Sequence, residues 1–257
     1  MLTAQAGTLV QFRTPLGDIE LELFDRDKPI TVENFLRYAR GGVWTNMIVH
    51  RWVPGFVIQG GGIFITNRAT AQPAFAAVPT FGIIKNEYSA GRTLSNTYGT
   101  IAMARSQAVD SATSQWFINL GDNLSLDNDN GGFTVFGRVV GGTNVLNRFN
   151  KTTIENGVFR VNLGAPLNEL PILSANATYE DLVYVDVSLL NVRVTRNGPA
   201  TRITWNSIKD RPNVVEFTTA FPPNWQRLAH VTGTGNSMSI DDPVSDPARF
   251  YRVQVEY

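Results

Sequence analysis

The chain has 257 residues, enough for one large domain or a medium one with a small companion, and either would bury a sizeable core. Hydrophobic residues at 43% against 17% charged exclude a disordered chain. Lys and Arg number 22 against 22 Asp and Glu, so no net field gathers phosphate backbones and nucleic acid is excluded as a natural partner; the absence of cysteine excludes disulfides, thiolate catalysis and Cys-based zinc sites.

Ala4-Gln5-Ala6 is a small-x-small triplet like the end of a signal cleavage site, which suggests a mature form whose leader has been removed. Residues 9–13 and 19–24 then alternate apolar and polar around a turn-rich insert, the pattern of a hairpin opening an antiparallel sheet. After Pro29, Val32, Phe35, Leu36 and Ala39 fall at helical spacing until Gly41-Gly42 stops the run, predicting a helix over 31–40. Strands are predicted near 47–52, 56–59, 99–104, 115–120 and 134–139, with a second amphipathic helix near 143–149. The insertion at 63–79, apolar and proline-containing, is expected to border a groove. Residues 159–179, with Pro166 and Pro171 and little periodicity, read as a connecting loop before a closing strand at 182–189. Many strands and two helices imply a mainly β fold, a closed barrel with helical plugs, since closure removes exposed sheet edges. No window approaches 18 consecutive apolar residues, so no membrane-spanning helix is expected.

From about Asn191 the composition changes. Short strand-like runs at 202–205, 213–218, 227–231 and 249–256 alternate with Asn197-Gly198-Pro199, Asp210-Arg211-Pro212 and Phe221-Pro222-Pro223, which predicts a small all-β module of about five strands. The expected division is therefore a domain over 1–191 and a β-sandwich-like module over 192–257, similar in pattern to fibronectin-type-III-like modules. Its terminal run sets Tyr251, Val253, Val255 and Tyr257 on one face. Trp205, Trp225 and Phe221 read as its core rather than as a carbohydrate or peptide platform.

The most informative stretch is His50-Arg51-Trp52-Val53-Pro54-Gly55-Phe56-Val57-Ile58-Gln59-Gly60-Gly61, which sets an arginine, an aromatic and a glutamine along a strand-turn-strand element. Gly99-Thr100-Ile101-Ala102-Met103-Ala104-Arg105 and Ser111-Ala112-Thr113-Ser114-Gln115-Trp116-Phe117-Ile118-Asn119 continue the theme, ending in Val135-Phe136-Gly137. Other chemistries fit poorly. Ser111 and Ser114 have no histidine nearby in sequence and no nucleophile elbow. Asp127-Asn128-Asp129-Asn130-Gly131 resembles the start of a calcium loop but carries Arg138 where the twelfth-position acid belongs, so no metal is expected. Gly60-Gly61-Gly62 lacks the Gly-Lys-Ser/Thr ending of a phosphate cradle. His50 and His230 are too far apart to form a metal pair by spacing, and His50 reads as a buried structural residue.

Together these four segments resemble the cyclophilin family of peptidyl-prolyl cis-trans isomerases over most of residues 8–190, nearest to the bacterial extracytoplasmic branch. The resemblance implies an eight-stranded antiparallel closed barrel capped by two helices, and X-Pro bond rotation during protein folding without a cofactor. Arg51 aligns with the family's catalytic arginine. The resemblance implies that Gln59 holds the guanidinium or a substrate carbonyl, that Phe56, Val57, Phe117, as floor, and Leu126 form the proline pocket, and that Ala104, Arg105 and Gln115 line the peptide groove. Phe133 stands where many eukaryotic members carry histidine, Ser125 where they carry a cyclosporin-contacting tryptophan, and Val57 replaces the common methionine; weak cyclosporin binding is expected. Proline-containing polypeptides are the expected partners, acted on in a chaperone-like role and in a periplasmic or secreted setting, with the cytoplasm as the alternative. A scaffold that binds proline peptides with little catalysis is the contrasting class.

Overall fold

The computed structural model describes residues 7–70, 72–150, 157–175, 178–190, 192–207, 212–234, 236–243 and 248–255. The Ala4-Gln5-Ala6 triplet, Asn191 and Tyr257 lie outside them. The chain divides into two compact units, Met1–Ser188 and Leu189–Tyr257.

In the first unit the alternating runs form β1 (Leu9–Thr14) and β2 (Gly17–Leu23), paired antiparallel from Leu9↔Glu22 to Thr14↔Gly17. One face of this hairpin, Val10, Phe12, Ile19, Leu21 and Leu23, is buried. Helix α1 (Pro29–Arg40) starts two residues earlier than expected, because proline suits a first-turn position and the Glu87 carboxylate accepts from the backbone N–H of Ile30 (3.1 Å) and Thr31 (2.7 Å). Fully buried Lys28 fastens the same loop by donating Nζ to the carbonyls of Glu87, Tyr88 and Ala90.

There follow β3 (Arg51–Val53), β4 (Val57–Gly60), β5 (Ile63–Thr66), β6 (Ala74–Ala77), β7 (Thr100–Met103), β8 (Trp116–Asn119), the single-turn α2 (Ser125–Asn128), β9 (Val135–Gly141), α3 (Thr143–Asn150), β10 (Phe159–Val161), β11 (Leu170–Ile172) and β12 (Asp186–Leu190). Eight strands make one sheet in the order β12-β1-β2-β9-β7-β8-β4-β3. Its two ends meet where Ile48 bridges Tyr184, Val49 N–H donates to the Val183 carbonyl (2.9 Å) and Val185 N–H to that of Met47 (2.8 Å). The interior is aromatic: Phe12 lies 4.6 Å from Trp116, and Phe35 5.3 Å from Phe136.

The insertion after β4, to which the sequence assigns no conformation, is a hairpin of β5 and β6. Two local expectations are corrected. The stretch at 159–179 is not loop throughout, because β10 and β11 pair over Phe159↔Ile172 to Val161↔Leu170 and bury Leu170 and Ile172. A third helix, α2, carries Ser125 and Leu126.

In the second unit β13 (Val192–Asn197), β14 (Ala200–Asn206) and β17 (Ser237–Asp242) form one sheet, and β16 (Gln226–Thr232), β15 (Pro212–Thr218) and β18 (Phe250–Val255) the other. Against about five expected strands, β13 and β17 both lie outside the four runs read from the sequence, and β13 is exposed throughout. Ile203, Trp205 and Val215 form the core, and Trp205 Nε1–H donates to Asn213 Oδ1 (3.1 Å). Tyr251 and Val253 pack against it. Phe221 is not core. It is 65% exposed, with its ring 4.7 Å from that of Phe250, and Trp225 is half-buried under the Arg252 guanidinium (4.3 Å).

Candidate active site

The β3–β4 turn sets Arg51 directly opposite Gln59, and β8 sets Phe117 opposite Gln59 on the other side. Period-two alternation does the rest. Val57, Ala102, Phe117 and Val135 bury themselves in one cluster, with Phe56, Leu94, Ala104, Leu126 and Phe133 packed against it. Phe117 is 4% exposed, and Phe133 meets its ring edge-on at 5.8 Å. The Arg51 guanidinium lies 5.8 Å from the ring of Phe56, one of the residues packed against this cluster.

Close approach of β4 to β8 depends on the glycine run. A Cβ on Gly60 would come within 2.5 Å of the Trp116 ring, and one on Gly61, whose φ is +80°, within 2.3 Å of the Ser114 carbonyl oxygen. Gly60 and Gly61 thus serve the close packing of the two strands.

The polar side chains divide differently from expectation. Gln59 does not bond Arg51; its Nε2 donates to Gln115 Oε1 at 2.8 Å. Arg51 is held instead by Glu169, Nε to Oε2 at 2.7 Å. Arg105 has its guanidinium over the Phe133 ring (4.3 Å) and donates Nη2 to the carbonyls of Asp129 (2.7 Å) and Asn130 (3.0 Å). It therefore braces the loop behind Phe133. Ala104 continues the β7–β8 ladder through its N–H to the Gln115 carbonyl (2.9 Å).

His50, buried as expected, has its imidazole pushed down to about 4 by burial, against an opposing hydrogen bond to Gln115 and reinforced by the neighbouring Arg51 charge. Among the described residues its Nδ1 has no hydrogen-bond partner, so a second ring proton would be buried unpaired. Neutral His50 is thus the base of a row that runs through Gln115 to Gln59.

A buried asparagine relay ties the walls together. Asn123 Nδ2 donates to the Phe56 carbonyl (2.8 Å) and Asn119 Oδ1 (2.7 Å), and Asn119 Nδ2 to Asn96 Oδ1 (3.2 Å). Asn96 Nδ2 then reaches Asp127 Oδ1 (2.8 Å) and the Phe133 carbonyl (3.2 Å). The acidic stretch at 127–131 thus serves this relay and the Arg105 brace. Neither the relay nor Glu169 is signalled in the sequence, since single amides and a lone acid carry no periodicity.

The first unit is thus of the β-barrel class, with the Arg51 guanidinium beside an apolar cluster and its strand ladders. Comparison with known proteins narrows that class. The family model described as cyclophilin type peptidyl-prolyl cis-trans isomerase/CLD matches residues 9–177. A peptidyl-prolyl cis-trans isomerase of Acinetobacter baylyi is 40% identical over 176 residues, covering 66% of this chain and 86% of the relative. Peptidyl-prolyl cis-trans isomerase B of Escherichia coli is 45% identical over 148 residues, covering 54% and 82%. A solved cyclophilin type isomerase of Cryptosporidium parvum, in the presence of the dipeptide Ala-Pro, aligns over 70% of this chain and 98% of its own with a TM-score of 0.48 and 22% identity. The chain belongs to the cyclophilin-type peptidyl-prolyl cis-trans isomerase family.

Proposed function

We propose that the first unit is a peptidyl-prolyl cis-trans isomerase that accelerates rotation about X-Pro bonds through Arg51. Rotation breaks amide conjugation against a barrier of roughly 18–20 kcal/mol and makes no covalent bond, so neither nucleophile nor cofactor is required. At the twisted geometry the proline nitrogen recovers its lone pair. A fixed guanidinium donor aimed there favours the twisted amide over either planar isomer, and a partly dry site strengthens the contact. The observation that carries this reading is Arg51 beside Phe56, which packs against the Val57–Phe117 cluster. Phe56, Val57, Phe117, Leu126 and Phe133 would receive the pyrrolidine ring. Gln59 and Gln115 would meet the substrate's polar backbone, and Ala104 and the backbone of Arg105 would extend a ladder along it.

Clients in this reading are extended proline-containing segments of exported polypeptides, assisted during folding in a periplasmic or secreted compartment. Likeness to the extracytoplasmic branch supports that compartment, and fractionation of the tagged full-length gene product tests it against the cytoplasm. The exchanges at Ser125 and Phe133 support weak binding of cyclosporin. A protease-coupled assay with Ala-Pro peptides tests the activity. Acceleration over the uncatalysed rate is expected, whereas peptide binding without acceleration would assign the site to a scaffold.

A further inference from the structure

Glu169 lies 118 residues from Arg51 in sequence, yet its carboxylate makes the one hydrogen bond of the Arg51 side chain among the described residues. That bond uses Nε and leaves both η nitrogens uncommitted. From this geometry we infer that Glu169 is a positioning residue, which locks the plane of the Arg51 guanidinium so that its η edge is presented to the substrate amide. The inference rests on the isomerase reading and adds to it a residue that no motif marks.

Glu169 is itself held on both sides. Its carbonyl accepts from Trp52 N–H at 2.8 Å, on the residue that follows Arg51, so donor and acceptor are registered by the same backbone. Next in the chain comes β11, whose Leu170 and Ile172 are 1% exposed in a cluster with Ile48, Leu182 and Tyr184. Trp52 Nε1–H is tied to the Phe149 carbonyl at 2.8 Å. The acceptor is thus built on a buried hairpin, which is what a support for a reacting group requires. The Arg51 and Glu169 side chains are 36% and 24% exposed, so as an ion pair the contact adds little stability. Its effect is to hold a side chain with many rotamers in one orientation before substrate arrives, an ordering the substrate would otherwise have to impose. A glutamine in its place can still accept the Nε–H.

The test compares Glu169→Ala, Glu169→Gln and Glu169→Ala/Arg51→Ala with wild type, reading kcat and KM for an Ala-Pro peptide and the exchange of the Arg51 Nε–H signal by NMR. Glu169→Ala is expected to lose about tenfold in kcat with KM within about twofold and to lose the protected Nε–H signal; Glu169→Gln is expected to recover most of both. Added to Arg51→Ala, the Glu169 substitution is expected to cost less than twofold more, because its effect passes through the guanidinium. If Glu169→Ala does not fold, Glu169→Asp, which withdraws the carboxylate by one methylene, must show the same loss. An unchanged kcat with an unchanged Nε–H signal overturns the inference, as does a full tenfold loss in the Arg51→Ala background. If wild type binds peptide but gives no acceleration while the Nε–H signal still depends on Glu169, the isomerase reading fails and the locking of Arg51 stands.

Discussion

His50 makes the stability of the first unit depend on pH in a defined direction. The folded chain holds this imidazole at about 4, and the unfolded chain releases it to its ordinary 6.5. Between those values the unfolded chain binds the extra proton and the folded chain does not. Stability from this residue is therefore complete above pH 6.5, falls as pH drops, and is exhausted near pH 4. The span corresponds to about 3 kcal/mol at about 1.4 kcal/mol per pH unit, a large part of the 5–15 kcal/mol that typically holds a domain together. Because carboxylates also titrate in this window, the measurement is a difference. Urea unfolding of wild type and His50→Gln, followed by tryptophan fluorescence from pH 7.5 to 4, isolates the contribution. Wild type should lose about 3 kcal/mol more than the variant over this range. Parallel stability curves would refute the burial argument for a neutral His50.

Other perturbations follow from the packing and the exchanges in the pocket. Phe117→Ala removes a buried ring from the apolar cluster near Arg51 and is expected to cost about 3–5 kcal/mol in denaturant melts and, on the proposed function, to weaken proline-peptide binding in titration calorimetry. Gly61→Ala combines a positive φ with a Cβ against the Ser114 carbonyl, and a fall in thermal midpoint well beyond that of Gly55→Ala, where no atom lies within 4 Å, should separate contact from backbone strain. Trp205→Ala should destabilise the second unit by about 3–5 kcal/mol while Phe221→Ala changes it by under about 1 kcal/mol, read by calorimetry on the full chain. Cyclosporin titration should give micromolar or weaker inhibition; nanomolar inhibition would remove the argument drawn from Ser125 and Phe133.

How much of this was legible in the sequence depends on how local each signal is. The first hairpin, α1 and the strands carrying Arg51, Gln59 and Phe117 have strong period-two or helical patterns, and the structure keeps them within a few residues. The apolar cluster of Val57, Ala102, Phe117 and Val135 could be anticipated because these residues sit on alternating strands. The β5–β6 hairpin was hidden by alanines, which are weak strand formers, and β10–β11 by its brevity and by Pro171, which cannot donate to a ladder. Glu169 and the Asn96–Asn119–Asn123 relay lay outside any local pattern, because their partners are set by chain closure over distances of up to 118 residues. The Gln59–Gln115 hydrogen bond likewise joins residues 56 apart in sequence.

The role of Arg51 is tested most directly by measuring kcat/KM of Arg51→Ala on an Ala-Pro peptide beside the peptide affinity of the same variant. Removing a donor that acts at the twisted amide should lower kcat/KM on the order of 10²-fold or more, with affinity for the planar peptide changed far less. A loss below threefold would contradict it and remove the guanidinium from the mechanism.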